Sequence, residues 1–145
     1  TEFPVLLGTD GRKMSKSYGN TIAISDPPEV LKKKISSMFT DPARVRRSDK
    51  GHPVKCPVFA FHKIFNAAES ETIDHACRRA EIGCVDCKHK LSDHLIRYLA
   101  PLQERRAALK EKPQYVYDTM AQGVARAAKA ARITLTDVKR AIGLI

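Results

Sequence analysis

The sequence predicts an all-α chain, a helical bundle preceded by one strand and a mobile loop, on three observations. Apolar residues recur at three- and four-residue spacing from Pro57 onward, the period of a helix with one buried face. Proline and capping residues stand where helices should start, as in Ser25-Asp26-Pro27-Pro28-Glu29 and at Pro113. Three glycines, Gly8, Gly11 and Gly19, gather among polar and basic residues ahead of that region, a composition that favours a loop. With 145 residues and 43% hydrophobic content the chain can bury a core. No run of 18 apolar residues and no basic-then-apolar leader occurs, so neither a membrane span nor secretion is supported and the cytoplasm is the expected compartment. The start at Thr1, straight into strand-like Glu2-Phe3-Pro4-Val5-Leu6-Leu7, reads as a fragment with something upstream removed.

The elements follow in order. A helix from Pro28 to about Phe39 places Val30, Leu31, Ile35 and Met38 on its apolar stripe and Lys32, Lys33 and Lys34 on the other side. That lysine run is a solvated face or a surface for phosphates. Residues 40–55, with Asp41-Pro42, Arg44, Arg46-Arg47 and Gly51-His52-Pro53, read as a basic, irregular, exposed linker. Val58, Phe61, Ile64 and Phe65 share one helix face, and Glu69 to Arg79 forms a second helix with Ile73 and Cys77 inward, stopped by Gly83. A long helix runs from about Asp86 to Lys110 on Leu91, Leu95, Ile96, Leu99 and Leu102, with a kink at Pro101. Pro113 opens an alanine-rich helix to about Arg132, and Thr134 to Asp137 cap a last short helix ending at Gly143.

The loop Lys13-Met14-Ser15-Lys16-Ser17 puts two ammonium groups and two hydroxyls on a segment flanked by Gly11 and Gly19. Lysine is a compact movable charge that can follow negative charge as it builds on a leaving pyrophosphate, while hydroxyls and amides donate further bonds. The string matches the second signature of class I aminoacyl-tRNA synthetases. Its surroundings resemble the tryptophanyl-tRNA synthetase family in particular, through Gly8-Thr9-Asp10-Gly11, Tyr18-Gly19-Asn20-Thr21-Ile22, Ile82-Gly83-Cys84 and Leu99 to Arg106. The resemblance spans essentially the whole chain. It implies that Lys13 and Lys16 are catalytic, with Lys13, Met14, Ser15, Lys16 and Ser17 forming the ATP-binding loop and Lys16 acting on the leaving pyrophosphate. It further implies that residues 1–24 end a nucleotide-binding domain and that residues 25–145 form the helical anticodon-binding domain. No His-x-Gly-His string occurs, and the strand-helix units of a nucleotide fold are absent, so isolated catalysis is not expected.

All four cysteines fall between Cys56 and Cys87, with twenty, six and two residues between successive members Cys56, Cys77, Cys84 and Cys87. In a reducing compartment such clustering points to metal before disulfides. Zinc and a 4Fe-4S cluster both accept four thiolates, and four free core cysteines are the remaining alternative. Structural zinc more often uses two Cys-x-x-Cys knuckles, and Cys84-Val85-Asp86-Cys87 supplies one, which favours iron–sulfur. Some bacterial members of the family resemble this spacing and carry a 4Fe-4S cluster, their first gap being slightly longer. The difference falls within a helical hairpin whose turn can absorb it. His52, His62, His75, His89 and His94 show no paired metal-binding spacing, and Tyr115 and Tyr117 read as core or rim aromatics.

A net charge of +10 concentrates polyanions around the chain, and nucleic acid is the leading partner class. Lys55, Lys88, His89, Lys90, Arg105 and Arg106 lie near the cysteines and could meet RNA phosphates, or form an ordinary exposed basic face. The resemblance implies ATP-dependent activation of tryptophan and its transfer to tRNA(Trp), with magnesium accompanying ATP. It also implies a homodimer built through the nucleotide fold. The competing reading is a free-standing metal- and RNA-binding module whose lysine loop only contacts phosphate.

Overall fold

The computed structural model describes residues 5–145; of the expected first strand, residues 2–4 lie outside the described residues. Five α-helices follow one another: α1 Pro28–Ser36, α2 Pro57–Phe65, α3 Ala67–Arg78, α4 Cys84–Lys110 and α5 Pro113–Ala141. Short 3-10 turns occupy Lys16–Tyr18 and Pro53–Lys55. Among the described residues there is no β-strand, only a single antiparallel bridge between Leu7 and Lys13. The all-α expectation holds.

Residues up to Gln103 form one compact unit, and Glu104–Ile145 form a second. In the first unit Leu31, Ile35 and Met38 close on Val58, Phe61, Leu91, Leu95 and Leu99 as one apolar cluster, and these are the helix faces that the periodicity picked out. Val30, expected beside Leu31, is exposed instead. Gln103 Nε2 donates to the carbonyls of Ile24 and Asp26, tying α4 to the segment that leads into α1. The second unit holds the last residues of α4 and the whole of α5, which is one continuous helix with no buried side chain. The expected break near Arg132 is absent because Thr134 does not cap: its hydroxyl donates back to the Ala130 carbonyl, a bond compatible with uninterrupted helix. Gly143, at φ 72°, follows the helix end as expected.

Helix α3 stops before Gly83. Ala80 adopts φ 59°, and the Glu81 amide returns to the Ala76 carbonyl, so alanine takes the left-handed position that glycine usually fills. Residues 40–55 are irregular but not fully exposed, which corrects the linker expectation. Asp41 is buried because its carboxylate accepts from the Ala43 amide and from both the amide and Nδ1 of His52.

His62 is fully buried, and its Nε2 contacts the Cys87 carbonyl while its Nδ1 faces the Asn66 amide group. With Nε2–H donating and Nδ1 accepting, the ring is neutral. Burial drives its pKa below the ordinary 6.5 against the opposing pull of the Cys87 carbonyl. The unfolded chain therefore binds a proton that the folded chain refuses, so stability is full above the ordinary value and falls as pH drops through it. Urea midpoints should decline from about pH 7.5 to about pH 5, and a His62→Gln variant should flatten that slope while lowering the plateau. A wild-type midpoint that does not move over this range would contradict the assignment.

Candidate functional site

Two sites carry chemistry, both in the first unit. The earlier one is the lysine loop. Asn20, only 2% exposed, fastens it from inside: its side-chain nitrogen donates to Asp10 Oδ1 and to the Lys13 carbonyl, while its Oδ1 accepts from the Ser15 amide. The Met14 amide donates to the Leu6 carbonyl, and the Met14 side chain packs against the apolar cluster. Gly8 is required because a Cβ there would strike the Asn20 amide group. Asp10 is pulled down to about 2, first by the Asn20 bond and then by Arg12, so it stays a carboxylate.

On this anchored base the phosphate-seeking groups face outward. Lys13, Lys16 and Ser17 are exposed, and neither lysine forms an ion pair among the described residues. Lys16–Tyr18 makes a 3-10 turn closed by Gly19 at φ 65°, a conformation that suits glycine. Ser15 Oγ and Ser17 Oγ lie 2.8 Å apart, and the Arg12 guanidinium sits 4.6 Å from the Tyr18 ring centroid. Two movable cations are thus carried by a backbone whose root is fixed by four hydrogen bonds, three from the buried Asn20 side chain and one from the Met14 amide.

The second site is built from helix ends. Cys56 immediately precedes α2, Cys77 lies in the last turn of α3, and Cys84 and Cys87 occupy the first turn of α4. All four are free thiols lining one small cavity whose other walls include Val58, Phe59, Ile73 and Ile82. The positive ends of α2 and α4 adjoin the sulfurs, an arrangement that favours thiolate. Burial, reinforced by Cys56, Cys77 and Cys84, pushes the Cys87 thiol up to about 12, and burial also raises Cys77 against the opposing charge of Arg44. Cys77 and Cys87 are thereby held as thiols, so a metal centre binding through them would release protons.

Arg44 was not singled out as more than a linker cation, yet it closes this cavity. It is 9% exposed, and one guanidinium nitrogen donates to the carbonyls of Arg47 and Ile82, at 2.9 and 2.8 Å. Its other terminal nitrogen points at Cys77 Sγ, 3.7 Å away. No carboxylate pairs with it among the described residues. Gly51 completes the wall: its amide donates to the Cys77 carbonyl, and a Cβ added there would collide with Cys77 Sγ. The donor set, four thiols beside a buried cation between apolar walls, fits a soft thiolate-bound centre. As the side chains stand, no group of three or more His, Cys, Asp or Glu among the described residues is arranged to hold a metal ion.

The family model for tRNA synthetases class I (W and Y) matches residues 1–100. A tryptophan–tRNA ligase of Aquifex aeolicus is 42% identical over 99% of this chain and 37% of the relative. One from Thermotoga maritima is 46% identical over 98% of this chain and 44% of the relative. The solved structure of a tryptophanyl-tRNA synthetase from Campylobacter jejuni, complexed with ADP and tryptophan, superposes with a TM-score of 0.83 at 31% identity, covering 98% of this chain and 44% of that one. The chain therefore spans less than half the length of the relatives it matches.

Proposed function

The chain belongs to the class I tRNA synthetases (W and Y), and we propose that within this family it is the C-terminal part of a tryptophan–tRNA ligase. Residues 1–24 end the catalytic nucleotide-binding domain and carry the ATP loop, and residues 25–145 form the helical domain that receives the tRNA anticodon. The observation that carries this reading is the Lys13–Ser17 loop, whose two unpaired lysines stand outward on a backbone pinned by Asn20. Tryptophan is preferred to tyrosine because similarity to tryptophan–tRNA ligases extends over nearly the whole chain.

In this reading the whole ligase activates L-tryptophan with ATP and magnesium and transfers it to tRNA(Trp), working in the cytoplasm as a homodimer joined through the nucleotide fold. Lys13 and Lys16 meet the triphosphate, and Lys16 stabilises the charge that accumulates on pyrophosphate as it leaves. Met14 anchors the loop to the apolar cluster, and Ser15 with Ser17 sets its curvature. The cysteine cavity is assigned a 4Fe-4S cluster held by Cys56, Cys77, Cys84 and Cys87, with zinc as the alternative. When bound, the cluster supplies a rigid cross-link rather than redox chemistry. The residues' own part is to bring three helix ends to one place, with Arg44 balancing thiolate charge.

The test is amino-acid-dependent exchange of pyrophosphate into ATP by the full-length protein that contains this chain. Exchange should require tryptophan and be absent with tyrosine, and the 145-residue chain alone should show none. Exchange with tyrosine instead would move the protein to the other branch of the family, and exchange with neither would sink the ligase reading.

A further inference from the structure

Two basic runs far apart in sequence, Lys32-Lys33 on α1 and Lys88-His89 on α4, line one open cleft of about 600 Å³ together with Ser36, Ser92 and Asp93. The third lysine of the first run does not join them: Lys34 Nζ is held 2.6 Å from Asp26 Oδ2. Lys32 and Lys33 are exposed and form no ion pair among the described residues, so nothing in the fold uses their charge. Lys88 Nζ donates to the Ser36 carbonyl at 2.8 Å, which joins α1 to α4 across the cleft and leaves two of its three N–H groups available.

We propose that this α1–α4 cleft seats the phosphodiester backbone of the bound RNA, as a subsite separate from the cysteine cavity. A solvated lysine face is convex and belongs to one helix. Here three ammonium groups from two helices border a concave space against a single carboxylate, Asp93. Cations on both sides of a groove suit a chain of adjacent phosphates better than a lone anion, because successive charges can be neutralised together with release of their counterions. Such contacts position RNA without reading its sequence. The proposal rests on the tRNA-ligase reading and specifies which surface carries the backbone.

The experiment measures binding of a tRNA(Trp) transcript to the 145-residue chain by fluorescence anisotropy across a salt series. Three proteins are compared: the wild type, Lys32→Ala/Lys33→Ala, and the equal-charge control Lys110→Ala/Lys112→Ala on exposed positions. Lys88 is left in place so that the α1–α4 link survives, and thermal melts confirm folding. Removal of two phosphate contacts should reduce the slope of log affinity against log salt by about 1.4 to 1.8, while the control changes it by less than half as much. The loss should be the same for a tRNA of another specificity. If the wild type binds and Lys32→Ala/Lys33→Ala keeps its affinity and slope, the cleft is wrong and the ligase reading stands. A wild type that binds no tRNA also overturns the cleft, while the ligase reading is decided separately by pyrophosphate exchange in the full-length protein.

Discussion

Replacing Arg44 by methionine is expected to lower the stability of the chain by about 2–4 kcal/mol and, under the proposed cluster assignment, to leave the cysteine site with little iron. The first effect needs no metal. One nitrogen of Arg44 satisfies two carbonyls, that of Arg47 ahead of the first cysteine and that of Ile82 between Cys77 and Cys84. Methionine fills much of the volume but donates nothing, and each buried acceptor left bare costs about 1–3 kcal/mol. The second effect comes from charge. A buried guanidinium without a carboxylate partner is costly unless an anion compensates it, and Cys77 Sγ is the group it points at. Four thiolates would supply that compensation only when a centre holds them deprotonated. Wild-type chain purified anaerobically should contain about four irons with matching sulfide and absorb broadly in the near-ultraviolet to visible range. Arg44→Lys should fall between wild type and Arg44→Met, because a single ammonium keeps the charge but lacks the planar fork of donors. Iron, sulfide and zinc analysis beside a urea titration decides it. One zinc per chain in place of iron would keep Arg44 in its role and replace the cluster. An Arg44→Met protein with wild-type midpoint and metal content would remove Arg44 from the site altogether.

The helical architecture was legible because its signal is redundant. Leu31, Ile35, Val58, Phe61, Leu91, Leu95 and Leu99 are apolar at helical spacing, and the same residues close the core. The starts of α1, α2 and α5 were marked by Pro28, Pro57 and Pro113, each of which tolerates the first turn because its missing N–H had no helical partner. Less was legible where one side chain reaches across a loop. Asn20 and Arg44 look like ordinary loop residues in the sequence, since nothing local reveals that each will serve three acceptors or donors brought near by the fold. Asp41 was hidden in the same way, its burial being stabilised by a His52 eleven positions away. The continuity of α5 was misjudged because Thr134 and Asp137 fit a capping pattern, and cap and interior threonines differ only in which carbonyl or amide the side chain meets. The cysteines were legible as a group from their spacing, while the Lys32-Lys33 and Lys88-His89 pairing required the packing of α1 on α4.

If the proposed ligase role of the loop holds, Lys16→Ala in the full-length protein should reduce the rate of tryptophan-dependent pyrophosphate exchange by about 10²–10³-fold, leaving the KM for tryptophan nearly unchanged. A loss of that size corresponds to about 3–4 kcal/mol of transition-state stabilisation. The loss can be read as lost transition-state stabilisation and not as misfolding, because Lys16 is exposed, carries no ion pair among the described residues and sits on a short 3-10 turn, so its removal should leave the fold intact. Lys13 differs. It borders the bridge with Leu7, and its carbonyl accepts from Asn20, so its ammonium group starts from a more constrained backbone and has less reach toward a departing group. Lys13→Ala should therefore raise the KM for ATP more than it lowers kcat. The same geometry makes Asn20→Ala an informative third variant: it touches no phosphate, yet it frees the Ser15 amide and the Lys13 carbonyl together. If the loop works by presenting its lysines on a fixed root, Asn20→Ala should reproduce part of both losses with each ammonium still present. Lys16→Ala activity within twofold of wild type would show that the leaving pyrophosphate is stabilised from elsewhere. An Asn20→Ala enzyme of full activity would show that the loop's root is set by the nucleotide instead of by the protein.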